Sequence, residues 1–79
     1  MPYATRKAEE HFKKAIELFK EIGMKGFLGQ AYLSRGLMYK ASKRNDEARQ
    51  SILEAINLFK ECEADGWLKQ ANEALESLV

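Results

Sequence analysis

Two near-copies of one segment lie 40 residues apart in this chain, and that spacing constrains its fold more than any other feature. Displacing the sequence by that amount brings Ala8 onto Ala48, Ala15-Ile16 onto Ala55-Ile56, and Leu18-Phe19-Lys20-Glu21 onto Leu58-Phe59-Lys60-Glu61. The correspondence continues through Gly26 and Gly66, Phe27 and Trp67, Leu28 and Leu68, and Gln30-Ala31 and Gln70-Ala71. From Ala8 to Leu33, 11 of 26 aligned positions are identical, and swaps such as Phe12 for Ile52 and Ile22 for Cys62 keep apolar character. Repetition at a period of about 20 to 50 residues marks an architecture of stacked units, each burying its apolar side against the next. The two copies, Ala15 and Ala55 included, should therefore occupy equivalent surroundings.

Each copy reads as two helices. Ala8, Phe12, Ala15, Ile16, Phe19 and Ile22 recur at spacings of three and four, one apolar stripe on a helix over about 5–22. Gly23 ends it, being tolerant of left-handed backbone geometry. A second helix spans about 27–42 with Leu28, Ala31, Tyr32 and Tyr39 inward. It has no terminal glycine; Lys43 and Arg44 place positive charge near its last carbonyls, and Asn45 with Asp46 and Glu47 reads as the cap and acidic first turn of a third helix over about 46–62. That helix repeats the stripe as Ala48, Ile52, Ala55, Ile56 and Phe59. A fourth, over about 66–78, follows Asp65 as N-cap and turns Leu68, Ala71, Leu75 and Leu78 inward. Connections this short force antiparallel neighbours, so the expected fold is all-α, four antiparallel helices in one domain over residues 1–79.

Composition narrows the function. Thirteen basic and twelve acidic residues leave a net charge of +1, so no strong field draws in nucleic acid or an anionic membrane. Basic residues such as Lys13, Lys14, Lys40, Lys43, Arg44 and Arg49 alternate with acids, and the aromatics fall in the apolar stripe, which argues against base stacking. No apolar run reaches the roughly 20 residues a membrane span needs, and the N-terminus lacks a signal peptide's apolar region. With one cysteine, a cytoplasmic setting is expected.

Catalytic chemistry is not expected either. His11 is the only histidine and has no metal-binding companion. Cys62 takes the place of Ile22 and reads as a small apolar residue in the stripe. Serines 34, 42, 51 and 77 lack an activating base. Gly23, Gly26 and Gly29 follow a helix instead of a strand, which suits helix termination over phosphate binding. No enzyme activity, cofactor or metal is predicted.

The stretch from Ala31 to Phe59 resembles a tetratricopeptide repeat, with Tyr32 as the large residue, Gly36 as the small one, Tyr39 as the aromatic and Ala48 and Ala55 as spaced alanines. Gly36 and Ala48 lack bulk, so two helices can approach closely where they cross. The chain departs from that family in its period of 40 where about 34 is usual, in Arg35 before the glycine, and in Lys43 at the turn. Leu58-Phe59-Lys60-Glu61 and Trp67-Leu68-Lys69-Gln70-Ala71 are also similar to terminal repeats of large bacterial signalling ATPases and nucleotide cyclases. In family register the chain holds one complete hairpin, 27–62, flanked by half-repeats 5–22 and 66–78.

The resemblance implies a protein-binding module whose contacts lie on the inward side of each hairpin's first helix. By matching position these are Gln30, Leu33, Leu37, Lys40 and Ala41, with Gln70 and Glu73 from the last helix. Lys40 is their only cation, so an extended or helical segment with apolar side chains suits the groove better than a terminal carboxylate. Equally, Leu33 and Leu37 could pack against a neighbouring helix or a second copy. Few intrachain neighbours are foreseen for Tyr3, Phe12, Trp67 and Val79, which leads to an expectation of homo-oligomers by helix stacking or exchange. A regulatory segment of a larger ATPase or cyclase is the remaining alternative.

Overall fold

Gly36 lies so close to the neighbouring helix that a Cβ there would come within 2.6 Å of Ile52 Cγ1 and 3.2 Å of the Ala48 carbonyl oxygen. Gly29, two turns earlier on the same face, is equally constrained: a Cβ would lie 2.6 Å from the Phe59 ring. In this computed structural model, which describes residues 3–78 and their side chains from Arg6 onward, these contacts join α2 (Lys25–Ala41) to α3 (Asn45–Glu61). α1 (Tyr3–Ile22) packs on α2, and α4 (Asp65–Glu76) packs on α3 with a lighter touch on α2. Among the described residues there is no strand, and the four antiparallel helices form a slab of 35 × 30 × 15 Å. The helix bounds fall within two residues of the expected ones.

Close approach at Gly36 and Ala48 follows the sequence expectation. Gly29 does not: it ends no helix but sits buried inside α2, where the absence of a side chain lets Phe59 in. The core is built from Ile16, Leu28, Ala31, Tyr32, Leu33, Ala48, Ile52, Ala55, Ile56, Phe59, Ala71 and Leu78; the whole α3 stripe enters it, whereas the expected α1 stripe contributes Ile16 alone. Burying one such large side chain contributes roughly 1.5–3 kcal/mol relative to exposure.

All three connections are the same turn. The residue after each helix's cap takes left-handed geometry: Gly23 at φ 71°, Lys43 at 61° and Glu63 at 54°. The next amide then reaches back five residues to a carbonyl in the last turn of the helix, in Met24 to Phe19 (3.0 Å), Arg44 to Tyr39 (2.9 Å) and Ala64 to Phe59 (2.9 Å). A second bond runs from Gly23 to Lys20, from Lys43 to Lys40 and from Glu63 to Lys60. This is the paired closure that satisfies carbonyls left over at a helix end. Glycine was anticipated in this role only at Gly23; Lys43 and Glu63 adopt the same backbone despite their side chains.

The turn is so tight that the expected caps shift. Arg44 and Ala64 occupy the N-cap positions, with no side-chain cap bond, while Asn45 and Asp65 are already the first helical residues. Cys62 is also displaced from its expected place: it caps α3 and is exposed, as Ile22 is at the matching point of α1. The helix ends there, so the apolar stripe stops one turn earlier, at Phe19 and Phe59.

Ala15 and Ala55 are not equally covered. Ala55 is fully enclosed and Ala15 only half-buried, because α3 has a helix on each side whereas α1 has α2 alone. Phe12 is likewise half-buried. Trp67 is 39% exposed yet stacks on Phe59 at 6.0 Å, as Phe27 stacks on Phe19 at 5.7 Å. Trp67, expected to have few neighbours in the chain, thus has Phe59 beneath it while part of its ring reaches the surface. The side chains of Tyr3 and Val79 lie outside the described residues.

Candidate functional site

The residues matched to the inward helix face divide by their spacing around α2. Leu33 is only 4% exposed and belongs to the core, so the chain's own packing takes it away from any ligand. Leu37, one turn on, is 44% exposed, and Ala41 beyond it is open too. Gln30 is half-buried at the other end of the face. Lys40 is exposed, but its ammonium donates to Ser77 Oγ at 2.7 Å, tying α2 to the end of α4; that hydroxyl in turn donates to the Ala74 carbonyl. Gln70 and Glu73 on α4 are exposed. Of the matched residues, Leu37, Lys40, Ala41, Gln70 and Glu73 remain exposed, and Leu37 is the one large apolar side chain among them.

On the opposite side of α2 lies a second feature, not foreseen from the sequence. Where α2 meets α3 there is an open cleft of about 390 Å³ lined by Tyr32, Arg35, Gln50, Leu53 and Glu54. Its floor is a polar seam. Ser51, fully buried, donates from Oγ to the Tyr32 carbonyl at 2.6 Å and accepts from Arg35 Nε at 3.1 Å. The Arg35 guanidinium lies 5.0 Å from the Tyr32 ring centre and 5.8 Å from that of Tyr39. Arginine before Gly36 is thereby explained: its planar head stacks on two tyrosines and bonds a buried serine, which a leucine could not do. The seam could have been suspected from Tyr32, Arg35 and Tyr39 at helical spacing; Ser51 carries no such signal.

The seam extends to α1 through Arg44. Its guanidinium sits 4.6 Å from the Tyr39 ring, bonds Glu9 at 3.1 Å, and holds the Glu47 carboxylate with two nitrogens, Nε at 2.8 Å. The hydrogen bond from Arg44 holds Glu47 below the ordinary glutamate pKa, and the same bond raises that of Arg44. Burial pushes the Tyr39 hydroxyl above its usual value of 10.0, helped by its hydrogen bond to Glu9 and by the charge there, and opposed by Arg35 and Arg44. These shifts all favour the pairing of Arg44 with Glu47 and of Tyr39 with Glu9, which ties α1, α2 and α3 together.

His11 is exposed on α1 beside Phe12, and among the described residues no three His, Cys, Asp or Glu side chains converge. No helix there is long and apolar enough to cross a membrane. No family model, no curated protein and no solved structure matches the chain.

Proposed function

We propose that this chain is a non-catalytic protein-interaction module of the tetratricopeptide type, working without cofactor or metal in the cytoplasm. The observation that carries the reading is the glycine-mediated crossing of α2 and α3, Gly36 against Ala48 and Ile52, joined to its neighbours by one turn used three times. An array of this kind has no enclosed interior to hold a small substrate, and it presents long, rigid helix faces suited to a peptide. Ligand contacts then fall to Gln30, Leu37, Lys40, Ala41, Gln70 and Glu73, with Leu33 supporting them from beneath.

The test is selection of peptides from a displayed random library, followed by titration against Leu37→Asp and Gln70→Ala variants. A peptide that loses about tenfold affinity on Leu37→Asp supports the reading. Selection of no peptide that depends on Leu37 refutes it.

One observation favours a second reading, self-assembly. Leu18, Ile22, Phe27, Leu37, Leu53 and Trp67 are all between 39% and 53% exposed, more apolar surface than a lone small domain needs to show. Sedimentation of the wild type and Leu37→Asp decides between the two: a dimer that dissociates on that change places self-contact, not a foreign peptide, on the α2 face. Regulation of an enzyme in a larger signalling ATPase or cyclase is compatible with either reading.

A further inference from the structure

Arg35 stands where the repeat has a leucine. Its counterpart 40 positions on is Leu75, and Tyr32 and Ser51 correspond to Asn72 and His11, so this part of the seam occurs once in the chain. The seam's other arginine, Arg44, is neutralised by Glu47 and Glu9. Arg35 is not: among the described residues its one hydrogen bond runs from Nε to Ser51 Oγ, and it forms no ion pair.

That single bond fixes the head. Ser51 is fully buried and is itself held by the Tyr32 carbonyl at 2.6 Å, while the guanidinium lies against the rings of Tyr32 and Tyr39. With Nε taken, the donors left over are those of the two terminal nitrogens, a planar fork whose spacing matches the two oxygens of a carboxylate or phosphate. The fork belongs to the wall of the 390 Å³ cleft, a volume at the small end of the range for ligand sites.

The other walls select among anions. Lys20, its ammonium 5.9 Å from the centre of the Tyr32 ring, adds a second cation with no ion pair among the described residues. Glu54 also lines the cleft without an ion pair there, and its charge opposes a dianion such as phosphate more than it opposes a single carboxylate. Leu53, 43% exposed, offers aliphatic surface to a methylene stem, and Gln50 offers an amide to a neighbouring backbone group.

We infer that this cleft receives a glutamate side chain of a partner protein, its carboxylate paired with the terminal nitrogens of Arg35 and its methylenes laid on Leu53. The site is on the opposite side of α2 from Leu37 and is a second point of contact, independent of the peptide face proposed above.

The probe is the acetylated, amidated glutamate residue, whose only charge is its side-chain carboxylate, titrated into the isotope-labelled intact chain by NMR. The matching glutamine compound and inorganic phosphate are titrated in parallel. Saturable binding in the millimolar range is expected, shifting the Arg35 Nε–H and Gln50 side-chain amide signals together, with no saturable response to the glutamine compound and weaker binding of phosphate. Arg35→Lys keeps the charge but loses the fork, and should weaken binding about tenfold. Leu53→Asp, at an exposed position outside the core, brings negative charge into the cleft and should weaken it about tenfold as well, with the wild-type melting temperature. Should Arg35→Lys fail to fold, Leu53→Asp decides alone. Equal binding of the glutamine compound, phosphate binding as tight as the carboxylate, or shifts at exposed lysines such as Lys60 with none at Arg35 overturns the inference. So does an affinity that Leu53→Asp leaves unchanged. The Leu37 test reads other residues with other probes, so either proposal can fail while the other stands.

Discussion

Replacing Lys43 and Glu63 by glycine should stabilise this protein, an unusual direction for a point change. Both residues hold left-handed backbone, φ 61° and 54°, at the position where Gly23 sits in the first turn at 71°. An L-residue there costs roughly 1–2 kcal/mol because its Cβ crowds a carbonyl oxygen. Glycine removes that cost but adds freedom to the unfolded chain, which takes back roughly 0.4–1 kcal/mol. The net gain is about 0.5–1 kcal/mol per site. At roughly 4–8 °C per kcal/mol for a domain of this size, the double variant should melt about 5–10 °C higher. The two sites should differ in order: Glu63 puts negative charge at a helix C-terminus, where it is unfavourable, whereas Lys43 is favourable there, so Glu63→Gly gains more. Thermal unfolding followed by circular dichroism measures both, with Gly23→Ala as the converse, losing about 1 kcal/mol. If both glycine variants melt at or below the wild type, the three turns do not share one strained geometry and the reasoning fails.

Gly36→Ala should cost about 1–3 kcal/mol, because a Cβ there meets Ile52 and also the Ala48 carbonyl, which cannot move aside; chemical denaturation would show it, and a neutral result would contradict the close crossing. Gly26→Ala, with nothing within 4 Å of the new methyl, should be neutral or slightly stabilising in the same assay. Ser51→Ala should destabilise by about 1–3 kcal/mol, since it removes both the bond to the Tyr32 carbonyl and the one from the charged Arg35 guanidinium. The seam also fixes two pH dependences. Glu47 is lowered from its ordinary 4.5, so its contribution is full above that value and is lost as pH falls through the depressed one; Glu47→Gln should flatten that acid limb of stability. Tyr39 is raised above 10.0, so its contribution is full below that value and fades as pH rises through the elevated one; absorbance titration of the phenol should place its midpoint above the ordinary tyrosine value and lose that component in Tyr39→Phe.

The sequence by itself determined the number of helices, their order and the two apolar stripes, because a 3.6-residue period and a 40-residue repeat are local records of which side each helix must bury. It also marked Gly36 and Ala48 as the crossing point, since small residues at facing positions have few other uses in a helix. It could not reveal that Lys43 and Glu63 would take glycine's role, because turn closure by two backbone hydrogen bonds outweighs the preference of either side chain. Leu33 and Leu37 look alike in sequence, yet one is sealed into the core and the other left open, which only the packed helices decide. The Arg35–Ser51–Tyr32 seam joins residues up to 19 apart and exists only once α2 and α3 have closed. Likewise, the half-covered flank of α1 is invisible in a stripe identical in kind to that of α3; burial depends on which neighbours are present, and that is a property of the assembled fold alone.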